Sequence, residues 1–321
     1  MTGPRSALGL LDRRLLFVTG KGGVGKTSVA SAIAQLSASR GRRTLVCEVD
    51  SKGDLGEFFG VGPLKFEPTE VRANLHAMAM DTEASLKEYL SLQLKVPLLA
   101  RLGPLARTFD FIANAAPGVK EILTVGKLTW EVRENHYDLV VVDAAATGHV
   151  VGQLASPVAI NDLVKVGLVR HQTDWMIDML TDPDQTAVVV VTVPEEMPVS
   201  ETLELVDRLG EETDIEVAAI VVNRVLPELF SRGDEAVFER LREPDAQEAL
   251  EERAGPGVAT VMAGADLAVS LRRSRVRHLA RLREGLPRRL PVINLPFLFT
   301  RSHGVRATAK IAEALGEELG F

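Results

Sequence analysis

The chain has 321 residues, 46% of them hydrophobic and 25% charged, with a formal net charge of −7. That length and apolar content suffice for one large core, while the acidic balance argues against a nucleic-acid binder, whose phosphate contacts demand basic excess. The single cysteine, Cys47, excludes an intrachain disulfide and a multi-thiolate metal site and fits a reducing compartment.

In chain order, the opening MTGPRSALGLLDRR lacks the apolar core and cleavage site of a secretory signal. Residues 1–13 are expected to be a flexible tail, and the protein is expected to be cytoplasmic. Leu15 to Thr19 is an apolar run suited to a buried strand, and the alanine-rich TSVASAIAQLSAS reads as a helix. Between them, Gly20 to Thr27 (GKGGVGKT) fits G-x-x-x-x-G-K-[ST]. Glycines at 20, 22, 23 and 25 let the backbone N–H groups around Val24 and Ser28 turn toward phosphate oxygens, and the helix N-terminus adds partial positive charge. Lys26 can reach the β and γ phosphates and the Thr27 hydroxyl can bind Mg²⁺. The alternative, a glycine-rich strand-to-helix turn, explains neither the lysine nor the hydroxyl.

A second strand is expected at Thr44 to Val49, leading into Asp50. From 81 to 135 no strand is expected. Leu86, Tyr89, Leu90 and Leu94 recur at helical spacing, as do Ile122, Val125, Leu128 and Val132, which predicts a helical subdomain over about 81–135 joined by 158–182. Pro97, Pro104 and Pro117 would break it into short helices. Leu98, Leu99, Leu102, Leu105, Phe109, Phe111 and Ile112 could line an apolar groove or form helical core. LVVVD then pairs a strand with a terminal carboxylate, Asp143, placed where Mg²⁺ is held in phosphate-loop enzymes, although a strand-end Asp can equally cap a turn. Asp50 has the same geometry and can position or deprotonate a water, or cap a turn. Further strands are expected at Ala187 to Val193, Val217 to Val222 and Pro291 to Leu295. Strand and helix alternation predicts α/β architecture, a mostly parallel, doubly wound sheet in one domain over 1–321. The run Leu271 to Arg289 reads as an amphipathic helix with Leu271, Leu279, Leu282 and Leu286 buried, or as a contact for an anionic membrane surface.

GKGGVGKT, DSKGDLGEFFG (Asp50 to Gly60) and DAAATGHVVGQLASP (Asp143 to Pro157) together resemble the arsenite-pump ATPase family. That family includes the ATPase that targets tail-anchored membrane proteins, and it is grouped with dimeric nucleotide switches carrying a deviant phosphate loop. The resemblance covers most of the chain and implies ATP and Mg²⁺ as cofactors. It implies Asn223 and Pro296 as adenine-side residues, Gly148 and His149 in a switch, and a protein or membrane-protein client on the helical subdomain. It also gives Lys21 a role: the first lysine of this loop reaches the phosphates of the opposite subunit, like an arginine finger, where otherwise it would be a solvated loop lysine. Dimerisation, with itself or with a related paralogue, would then complete the active site.

Several residues depart from that pattern. Asp50-Ser51-Lys52-Gly53 stands where the family commonly has Asp-Pro-Ala-His, and Ala146 replaces a proline. Slow or partner-triggered hydrolysis is the implied consequence, and a scaffold without meaningful turnover is the alternative. The cysteines that bind arsenite are absent, which disfavours a metalloid pump subunit. A shared iron–sulfur cluster would need two thiolates per subunit.

Overall fold

The computed structural model describes residues 7–50, 53–94, 118–164, 166–228, 230–299 and 304–321. Eight strands form one sheet in the order β3-β4-β2-β5-β1-β6-β7-β8. They are β1 Leu15–Gly20, β2 Thr44–Glu48, β3 Thr69–Arg72, β4 Leu75–Ala79, β5 Leu139–Ala146, β6 Thr186–Thr192, β7 Val217–Val225 and β8 Val292–Pro296. All neighbouring pairs are parallel except β3 with β4.

The central strands are apolar along their whole length because helices cover both faces, and their side chains sort alternately to the two sides. Leu16, Val18, Val141, Val189, Val191 and Val221 face the Lys26–Ser39 and Val305–Glu318 helices. Leu15, Phe17, Val140, Val142, Val188 and Val190 face the other side. There Leu128, Leu154, Leu205 and Leu282 close the second core from the Val119–Arg133, Thr147–Leu163, Glu196–Glu212 and Val258–Gly285 helices. The mostly parallel, doubly wound α/β sheet is therefore the observed architecture.

The β3–β4 hairpin has no counterpart among the expected strands. The two strands join through Ala73 and Asn74, with Arg72 opposite Leu75 and Asn74 at φ 63°. β4 reads LHAMA, without the β-branched or aromatic residues that mark strands. It is held by pairing with β2 and by complete burial of Leu75, Ala77 and Met78. The expected N-terminal tail is also corrected from Ala7 on. Ala7–Asp12 is a 3-10 helix, Leu10 and Leu11 are buried, and buried Arg13 pairs with Glu216 at 2.8 Å.

No strand interrupts the described residues between Thr82 and Arg133, where the Thr82–Leu94 and Val119–Arg133 helices lie. With the Thr147–Leu163 and Leu168–Thr181 helices they surround a cavity of about 230 Å³ whose lining includes Leu86, Tyr89, Ile122, Trp130, Trp175 and Met176. The residues from Leu98 to Ile112 considered for a groove, and the three prolines, lie outside the described residues. Within the basic run, Leu282 and Leu286 are buried as expected, but Leu271 is exposed. The helix there carries Arg272 and Arg275, which donate to the carbonyls of Leu226 and Arg224, while Arg273 pairs with Glu239. These arginines tie the long helix to its own chain. No described helix is long and apolar enough to cross a membrane.

Candidate nucleotide site

β1 lies at the centre of the sheet between β5 and β6, and the loop after it opens at the carboxyl ends of the strands, where open α/β sheets bind ligands. Gly20 is required there by packing: a Cβ would lie 2.1 Å from the Val191 carbonyl oxygen. Val24 is buried and anchors the loop, while Gly22 and Gly23 are exposed. Gly25, at φ 97°, caps the Lys26–Ser39 helix, so the first N–H groups of that helix face the loop.

Two expected ligands of Mg²⁺ come together. Thr27 Oγ1 donates to Asp143 Oδ2 at 2.6 Å. Asp143 lies inside β5 rather than at its end, opposite Val18 of β1 and Glu48 of β2. Its Oδ1 is buried without a hydrogen-bond partner. Burial pushes the carboxyl up from 3.8 to about 6; the Thr27 hydrogen bond and the Lys26 charge oppose the rise, and Glu48 and Asp50 add to it. A hydroxyl beside a carboxylate with an unsatisfied oxygen fits Mg²⁺, which takes one or two protein oxygens and completes its octahedron with phosphate and water. No group of three or more His, Cys, Asp or Glu side chains suited to a metal occurs among the described residues, which excludes from them an all-protein metal cage.

Asp50 is exposed two residues beyond β2. Pro296 pairs with Val225, two residues beyond Asn223, at the ends of β7 and β8, where the Phe297 N–H donates to the Val225 carbonyl at 2.8 Å. Asn223 also donates to the Val24 carbonyl of the phosphate loop at 2.9 Å. Gly148 and His149 sit exposed in the first turn of the Thr147–Leu163 helix, directly after β5. Ser28 follows in the first turn of the loop helix, half-buried.

The sequence pattern of the anion-transporting ATPases matches residues 13–174 and 166–252. The chain belongs to that family. It is similar to the ATPase BagA of Mycobacterium tuberculosis, at 33% identity over 225 residues. That match takes in 67% of this chain and 66% of BagA, just under two thirds of the relative's length. The ATPase ASNA1 homolog 1 of Paramecium tetraurelia is 29% identical over 252 residues, covering 66% of this chain and 74% of the relative. The ATPase ASNA1 homolog of Cryptosporidium parvum is 27% identical over 256 residues, covering 69% and 68%.

Two carboxylates of this family member escaped motif reading. Glu48 is buried on β2 and accepts from the Asp54 N–H at 3.3 Å, tying the segment after Asp50 to the sheet. A charge inside the strand TLVCEV was its only signal. Glu201 is ion-paired with Lys21, and nothing in its local sequence marks it.

Proposed function

We propose that the chain is a Mg²⁺-dependent ATPase working as a nucleotide-gated dimeric switch. The observation that carries this reading is the 2.6 Å contact of Thr27 with Asp143 at the foot of the glycine loop, where a buried carboxyl is left half satisfied. Loop N–H groups and Lys26 bind the phosphates, Thr27 and Asp143 hold the metal, and Asn223 and Pro296 flank the base. Bound Mg²⁺ would neutralise charge on the phosphates. Asp50 orients water, and its exposure at the mouth of the site leaves it accessible to a nucleotide. Gly148 and His149 lie where a change at Asp143 would pass directly into a helix that borders the cavity. The family resemblance supports a protein or membrane-protein client on that helical region.

The dimeric part of the reading rests on Lys21 and is tested by subunit exchange. Lys21→Ala and Asp50→Asn chains, each inactive alone, are mixed and mixed dimers are verified by differential tags. If Lys21 acts in trans, one complete site is rebuilt per mixed dimer and ATPase activity returns. Silence from verified mixed dimers rejects the trans role. A nucleotide-gated scaffold paired with a paralogue is the second reading, favoured by a sequence after Asp50 that lacks the family's Pro-Ala-His. Nucleotide-dependent pairing without turnover would select it.

A further inference from the structure

Glu201 stands on the Glu196–Glu212 helix, 180 residues along the chain from Lys21 and outside every nucleotide-binding motif. One of its oxygens is ion-paired with Lys21 Nζ, and the other accepts from Thr147 Oγ1 at 3.4 Å. Thr147 is the first residue of the helix that follows Asp143's strand. A single carboxylate thus joins the loop cation to the start of the candidate switch helix. We propose that Glu201 is the resting counter-ion of Lys21: it holds the lysine on its own chain, and pairing with a nucleotide-loaded subunit breaks this ion pair before Lys21 reaches the partner's phosphates.

The inference rests on the trans role proposed above for Lys21. The Lys21 and Glu201 side chains are 27% and 32% exposed, so water screens the pair and makes it exchangeable. A triphosphate offers more negative charge than one carboxylate, so it can draw the ammonium away. When Lys21 leaves, Glu201 is left, among the described residues, with the longer Thr147 contact, and the link between the loop and the candidate switch helix is broken. Glu201 is a positioning residue here, acting through Lys21 and never on the nucleotide.

Glu201→Gln removes the charge and keeps the side-chain size. In dilute, nucleotide-free protein, amine acetylation of Lys21 followed by mass spectrometry should run about two- to five-fold faster in this variant, the range expected for a partly exposed, solvent-screened ion pair. With Mg²⁺ and ATP, half-maximal turnover should occur at a protein concentration about two- to five-fold lower. Half-maximal nucleotide-dependent dimerisation, read by sedimentation, should shift likewise, and that shift should vanish when Lys21→Ala is added, because the effect passes through the lysine. Equal acetylation rates, or a concentration shift that survives Lys21→Ala, overturns the inference. A chain that neither pairs nor turns over ATP, yet shows the acetylation difference, rejects the dimeric ATPase reading and leaves the counter-ion contact standing.

Discussion

The side-chain amide of Asn223 fastens the end of β7 to the phosphate loop, donating to the Val24 carbonyl at 2.9 Å and accepting from the Arg224 N–H at 2.9 Å. A Cβ on Gly25 would meet the same amide nitrogen at 2.4 Å, at a backbone φ of 97°. Asn223→Ala should therefore cost about 1–3 kcal/mol of stability through the buried groups it strands, read by urea unfolding. The second amide hydrogen remains to meet the base, so ATP affinity should fall more than affinity for inorganic triphosphate. Equal losses would make Asn223 a structural clamp only.

Asp143→Asn should stabilise the nucleotide-free protein at pH 7.5 while removing Mg²⁺-dependent nucleotide binding. Burial raises this carboxyl from 3.8 to about 6, so the folded state holds its proton where the unfolded state has lost it. Its contribution to stability consequently falls as pH rises from about 4 to about 6. The gain from the substitution is at most about 3 kcal/mol above that window and near zero below it. Unfolding curves of parent and variant across pH 4–8 check the sign; a parent that gains on the variant with rising pH contradicts it.

Lys26→Ala and Asp50→Asn should separate binding from turnover. Lys26 follows Gly25 at the start of the loop helix, and losing its charge should abolish measurable ATP binding in calorimetry. Asp50→Asn should leave affinity within about two-fold and suppress turnover, because a group that positions water matters mainly in the transition state. Unchanged turnover would move that role elsewhere, with His149 next in line.

Lys127 is the buried tie between two helices of the helical region. Its Nζ lies 2.8 Å from Glu88 and 2.6 Å from Glu131, and Lys127 and Glu131 side chains are each 6% exposed. Burial alone would lower the Lys127 pKa, but the hydrogen bonds to Glu131 and Glu88 prevail and raise it. Lys127→Ala should cost about 3 kcal/mol by leaving buried Glu131 with the half-exposed His136 ring, 2.8 Å away, as its remaining charged partner among the described residues. Adding Glu131→Leu to Lys127→Met should recover most of that loss in denaturant unfolding. A single variant as stable as the parent would show the pair to be dispensable.

Residue types and spacing alone were enough for the six expected strands: five carry long buried apolar runs, and the edge strand β8 alternates, with Ile293 and Leu295 buried. They were enough, too, for the glycine loop and the carboxylate that faces it, since close backbone approach and helix-end geometry demand particular residues in order. Gly20 against Val191 shows that demand directly. The β3–β4 hairpin was not legible, because β4 is a strand through its pairing with β2 rather than through intrinsic preference. The packed N-terminus was hidden as well: Leu10 and Leu11 find their partners in distant elements.

What only the tertiary structure decided is where charges meet. Thr27 and Asp143 are 116 residues apart, and Lys21 and Glu201 are 180 apart. Local pattern marks out the loop from Gly20 to Thr27, since its geometry is set within a short stretch of chain. The partner of a long charged side chain is set by which strands and helices the fold lays side by side. Lys21 therefore reads as a loop cation in sequence and becomes half of an ion pair only when the loop after β1 and the helix after the neighbouring strand β6 come together at the carboxyl ends of the central strands.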